Sequence, residues 1–230
     1  METHLPAART RSVKRIRKAD DAEHFARVIK LCRTHLEFYP DDAARWTVLG
    51  RTLCTFARYR EAEAALSKAL AVAPLDRWHM VYWQFGHLEE ARGNLVAAMQ
   101  WHRKSARLQP DNASSWIYCG HIAFSQGRLR QGEAFNRRAL KCKEGPFDEA
   151  WFNLGGALLA QDRLEEARAC YLKAIAIDPK YGIAKKRLKD VELAIAERAL
   201  TSPKPSRLRR SRRVAARTPT NAVRARTRAR

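Results

Sequence analysis

The chain has 230 residues, 46% of them hydrophobic and 30% charged, which is enough for one or two domains with a buried core. Its formal net charge of +21 sits mainly at the ends: residues 1–18 carry +5, residues 19–200 carry +5, and residues 201–230 carry +11 from eleven basic residues and no acid. That distribution excludes a histone-like polycation. The short apolar runs, such as Leu70 to Pro74, exclude a membrane-spanning helix, and the basic N-terminus lacks the apolar stretch of a secretory signal.

Along the chain, residues 1–19 read as a basic, disordered N-terminus. Four units then align with one another. The first reads Trp46, Leu49, Gly50, Leu53, Ala62, Leu66, Ala69, Pro74. The second reads Tyr82, Phe85, Gly86, Glu89, Ala98, His102, Ser105, Pro110. The third reads Trp116, Cys119, Gly120, Ala123, Gly132, Asn136, Ala139, and the fourth Trp151, Leu154, Gly155, Leu158, Ala167, Tyr171, Ala174, Pro179. Their glycines are 36, 34 and 35 residues apart. Within a unit the spacings place the apolar residues on one face of each of two helices. Turns are expected at Ala57-Arg58, Gly93-Asn94, Gly127-Arg128 and Asp162-Arg163. Asp42, Asp76, Asn112 and Asp148 are placed to cap first helices, and Pro74, Pro110 and Pro179 to end second ones. The glycines and alanines let paired helices approach closely, and stacking is obligatory because one pair cannot bury its apolar face. Residues 201–230, with Pro203, Pro205 and Pro219 and almost no large apolar side chain, are expected to be disordered.

This aromatic–Gly–Ala–Pro order resembles the tetratricopeptide repeat (TPR) family over residues 43–181. The resemblance implies an all-α, right-handed superhelical solenoid of antiparallel helix pairs within residues 20–200. Its repeats run about 43–76, 79–112, 113–146 and 148–181. Residues 20–42, with Phe25, Ile29, Leu36 and Pro40, are similar to the second helix of a degenerate half repeat. The third unit departs from the pattern, with Gly132 for Ala and Pro146 displaced by two beyond Glu144, so a local distortion is expected there. Residues 182–199 (Ile183, Leu188, Val191, Leu193, Ile195) match a polar-faced capping helix.

The same resemblance places residues one, five and eight positions after each aromatic on a concave groove. Trp83, Ile117, Phe124 and Phe152 would form an apolar strip, with Arg51, His87 and His121 beside it. Such a groove suits a protein or peptide partner, so an adaptor or assembly factor is expected. The alternatives are a nucleic-acid-associated factor or a chaperone for secreted substrates. A C-terminal-carboxylate clamp is not expected, since Thr47, Arg51, Gln84, Ser114 and Tyr118 stand at its sites, nor is an asparagine ladder, since of Val48, Gln84, Tyr118 and Asn153 only Asn153 fits. No nucleophile elbow, phosphate-cradling loop or His-Glu-x-x-His occurs, so neither an enzyme nor a cofactor is expected. His87 and His121 with Cys54 or Cys119 form no recognisable ligand set, so no metal is expected. The five scattered cysteines (Cys32, Cys54, Cys119, Cys142, Cys170) suggest a reducing compartment, cytoplasmic or, in a eukaryote, nuclear. In the tail, Arg207, Arg209, Arg210, Arg212, Arg213, Arg217, Arg224, Arg226, Arg228 and Arg230 make a polycation for nucleic acid or another anionic surface. With no aromatic between them, base readout is not expected.

Overall fold

A computed structural model describes residues 7–201. Its period is set by five backbone positions with positive φ, at Glu23 (53°), Ala57 (55°), Gly93 (79°), Gly127 (70°) and Asp162 (62°). In each, the amide of the following residue donates five residues back, as in His24 to Ala19, Arg58 to Leu53, Asn94 to Glu89, Arg128 to Ala123 and Arg163 to Leu158, at 2.8–3.0 Å. This is the Schellman closure of a helix C-terminus. A new helix begins at the next residue every time. Four of these turns are the ones expected from the sequence; the fifth, at Glu23, belongs to a pair that the aromatic–Gly pattern does not mark.

The pairs are α1 (Ala7–Asp21) with α2 (Phe25–Phe38), α3 (Ala43–Thr55) with α4 (Tyr59–Val72), and α5 (Trp78–Ala91) with α6 (Leu95–Leu108). Then come α7 (Ser114–Ser125) with α8 (Leu129–Ala139) and α9 (Phe147–Leu159) with α10 (Leu164–Ile177). The stack ends in α11 (Gly182–Thr201). Consecutive helices pack against each other, and α3 also meets α5, and α7 meets α9. Among the described residues no helix is long and apolar enough to cross a membrane.

The expectation of a disordered 1–19 is corrected from Ala7 onward, and the half repeat at 20–42 is the second helix of a complete pair. The cause is that α1 buries Ile16 and Ala19, three residues apart, in one cluster with Val28, Ile29, Cys32 and Leu36. Polar ties add to this. Asp42 and Ser12 both lie within hydrogen-bond distance of the buried His35 ring, at 3.1 and 3.0 Å, and Asp20 accepts two bonds from Arg51 at 2.7 and 2.6 Å.

In the four later pairs a side chain sixteen residues on fills the space over each anchoring glycine: Leu66 over Gly50, His102 over Gly86, Asn136 over Gly120, Tyr171 over Gly155. A β-carbon on Gly155 would lie 2.8 Å from Tyr171 Cε1. The expected caps hold in part. Asp42 caps α3 by accepting from the Arg45 amide, whereas Asn112 stands one residue before Ala113, the N-cap of α7, and accepts from the Ser114 amide. Asp76 instead lies in a short 3-10 turn (Leu75–Arg77), and Asp148 is inside the first turn of α9, where its charge meets the helix dipole rather than capping it.

The expected distortion lies between α8 and α9. The helix α8 stops at Ala139, and the chain folds back so that Lys143 and Glu144 donate to Asp111 O and Glu144 O accepts from Ala113. Leu140, Cys142 and Phe147 thereby pack around Ile117, Ala139 and Ala150. At the other end of the stack α11 covers the last pair with Leu188, Val191 and Ile195.

Candidate functional site

The first helices α7 and α9 meet directly, and a cavity of about 440 Å³ opens between them. Its walls are His121 and Phe124 from α7 and Phe152, Asn153, Gly156 and Leu159 from α9. Asn136, Tyr171 and Arg187 complete the lining from α8, α10 and α11. Two adjacent glycines divide the work here. Gly155 seats the Tyr171 ring, while at Gly156 a β-carbon would make only ordinary contact, 3.9 Å from the Tyr171 hydroxyl, so the position lines the cavity without crowding it.

Phe124 remains 40% exposed in this concavity, an apolar ring in contact with water. Phe152 leans between Tyr171 (ring centroids 5.7 Å apart) and Tyr181 (5.1 Å). Burial pushes the Tyr171 hydroxyl up to about 12, so it is a neutral group at physiological pH. Burial and the neighbouring Asp148 also raise Glu149, against the opposing pull of His121. The Arg187 guanidinium is half-exposed, 3.7 Å from Asp190. The cavity thus offers an apolar floor with His121, Asn153 and Arg187 as polar groups.

Of the expected groove residues, the structure therefore brings together His121, Phe124 and Phe152. Arg51 lies elsewhere, tied to Asp20 and lining a second cavity with Thr47, Met80 and Gln84. Trp83 and His87 form a third group, edge to face at 4.0 Å, with Tyr118 set edge-on to both. Ile117 is a correction: it is buried in the core, because the segment returning from α8 closes over the first turn of α7. The ten tail arginines, Arg207 to Arg230, lie outside the described residues.

Three residues lining the α7–α9 cavity are not marked as functional by the sequence pattern, namely Asn136, Tyr171 and Arg187. Arg187 belongs to the capping helix, outside the repeats, while Asn136 and Tyr171, like His102 one unit earlier, occupy the position facing the anchoring glycine, where they read as packing residues. The available signal is chemical: the position holds leucine in one unit and polar or aromatic groups in the next three.

Comparison with known proteins agrees with this architecture. Residues 1–142 match the Cytochrome c-type biogenesis protein H TPR domain, and residues 148–181 match the Tetratricopeptide repeat. The chain belongs to the TPR family. Its fold is accordingly the all-α TPR solenoid with a C-terminal capping helix. Human Tetratricopeptide repeat protein 7A is 28% identical over 119 residues, which is 52% of this chain and 14% of that protein. The chain spans about 14–15% of the length of the curated relatives it matches. Among solved structures, the thermophilic TPR protein TTC0263 of Thermus thermophilus aligns with a TM-score of 0.62 at 21% identity, covering 80% of this chain and 99% of that one. YrrB, described as a TPR protein with an unusual peptide-binding site, aligns with a TM-score of 0.56 at 17% identity over 76% of this chain and 88% of that one.

Proposed function

We propose that this TPR protein is a protein-interaction adaptor that takes a partner peptide between α7 and α9. The observation that carries the reading is the exposed Phe124 ring facing Phe152 across a concave apolar cavity. Such a cavity accepts one apolar anchor side chain, while His121 and Arg187 favour an acidic group beside it. The peptide-binding description of YrrB, which shares the fold, supports the same reading.

The test is a peptide array probed with the full chain, followed by affinities for the peptides it selects. Phe124→Ser should weaken binding at least about tenfold, a loss of about 1.4 kcal/mol. Arg187→Glu should weaken only the peptides with an acidic group next to the apolar residue. Both positions are partly exposed, so the helical circular dichroism should stay unchanged. Full retention of binding by a folded Phe124→Ser, Arg187→Glu double variant would remove this cavity from the function.

A further inference from the structure

Between α5 and α6 the chain gathers three ligating side chains that play no part in the cavity above. His87 Nδ1 stands 3.3 Å from Glu90 Oε2, and His102 Nε2 stands 3.7 Å from Glu90 Oε1. One ligand atom from each of the three can be chosen so that all lie within 4.8 Å of one another. The His102 side chain has no solvent exposure, and those of His87 and Glu90 have 25% and 20%.

The hydrogen bonding of this cluster is incomplete. His87 Nε2, Glu90 Oε1 and both ring nitrogens of His102 are buried without a hydrogen-bond partner. A buried polar atom left in that state is destabilising, and a carboxylate more so. The walls offer no remedy: Trp83 meets the His87 ring edge to face, and Tyr118 stacks on His102 with centroids 5.0 Å apart. Nor does the cation just beyond that helix: Arg92, the C-cap of α5, bonds to Glu89 and Glu63 instead. The seat for the His102 ring is also specific, because a β-carbon on Gly86 would come within 2.4 Å of its Cε1.

We propose that His87, Glu90 and His102 bind a divalent first-row transition metal ion, with Zn²⁺ as the representative. Two imidazole nitrogens and one carboxylate oxygen suit such ions, whereas Mg²⁺ and Ca²⁺ prefer oxygen alone. Tetrahedral bonds of about 2 Å need ligand atoms roughly 3.3 Å apart. His102 is fixed by its packing, so closure falls to the partly exposed His87 and Glu90 on α5. Three protein ligands leave a further coordination position for water or a partner's side chain. Histidines and cysteines one repeat apart on first helices form no such set; here the third ligand is on α6, sixteen residues beyond Gly86.

The experiment uses the full chain without a histidine tag, stripped with a chelator. It is titrated with Zn²⁺ in competition with a chromogenic chelator, and separately with Co²⁺ followed by visible absorption. About one equivalent should bind and raise the melting temperature, with Co²⁺ bands typical of nitrogen and oxygen ligands. Glu90→Gln and His87→Gln preserve shape and are partly exposed, so both should stay folded, yet each should lose roughly 100-fold or more in affinity. His24→Gln, at an exposed histidine in the α1–α2 turn, should bind as the parent does. Binding that is equally tight in the parent, Glu90→Gln and His87→Gln proteins would overturn the assignment. So would the absence of stoichiometric binding, or thiolate bands in the Co²⁺ spectrum.

Discussion

Opposite each anchoring glycine stands a side chain whose size the glycine makes possible, and Gly155 with Tyr171, the bulkiest of the four side chains, is the case to test. Tyr171 is only 1% exposed, so it has nowhere to go when Gly155 gains volume. Gly155→Val should destabilise the protein by about 1–3 kcal/mol, as overpacking does. Gly182→Ala is the control: nothing lies within 4 Å of its added β-carbon, and its stability should change by less than about 0.5 kcal/mol. Urea denaturation of both variants decides the matter, and equal stability of the valine variant and parent would contradict the packing. At this scale the sequence is legible where size and period coincide. Gly50, Gly86, Gly120 and Gly155 are recognisable from spacing alone, whereas Phe124 and Phe152, which line the α7–α9 cavity, are placed on a groove only by the resemblance to TPR repeats. The same resemblance misplaces Ile117 because its burial depends on residues 140–147, whose path no helical period describes. His102 stays hidden because the repeat register explains its position without reference to its chemistry.

The helices are joined by closures that depend little on residue type, and this explains what the sequence conceals at the next scale. Glu23, Ala57 and Asp162 adopt the same left-handed geometry as Gly93 and Gly127, so the turn before α2 carries no glycine to announce it. The pair α1–α2 likewise lacks the aromatic and the glycine: Ser12 and Ile16 stand where Trp46 and Gly50 stand one unit later. The compensation is Cys32, smaller than the equivalent Leu66, in the same buried cluster as Ile16.

Electrostatic ties between elements give a further test. Glu133 on α8 accepts from Arg163 (2.7 Å) and Gln161 (3.0 Å) across the α9–α10 turn, and from Arg137 (2.9 Å) on its own helix. Partial burial would raise its carboxyl, but these donors prevail and hold it at about 2, down from the ordinary 4.5. A carboxylate with its folded-state value depressed stabilises the fold above its unfolded value, and that contribution fades as pH falls from about 4.5 through 2. Glu133→Gln should therefore melt a few degrees below the parent at pH 7, with the gap closing toward pH 2. Melting temperatures at intervals between pH 7 and 2 measure this, and a gap independent of pH would rule out the ionic contribution.

For the molecule as a whole, charge is distributed differently from the fold. The repeats carry nearly balanced charge, while residues 201–230 alone supply +11 of the +21. The helix α11 ends at Thr201 with Leu193 and Leu200 exposed, 61% and 86%, so little packing reaches that boundary. We propose that residues 202–230 act as a separable electrostatic module for anionic partners, independent of both the α7–α9 cavity and the His87–Glu90–His102 cluster. Without aromatic residues the segment has no means of stacking on bases, so its affinity for a duplex should come from phosphates. If about six arginines engage phosphates, log affinity should fall with log salt at a slope of roughly −5. Removing the segment should abolish that binding and leave the melting temperature of the repeats within about a degree, since α11 already exposes Leu193 and Leu200 near Thr201. A salt titration against two unrelated duplexes, with the full chain and with residues 1–201, measures both effects. Equal affinity of the two proteins would place any nucleic-acid binding on the repeats. A strong preference for one duplex would require a base-reading element that an arginine-rich segment without aromatics does not supply.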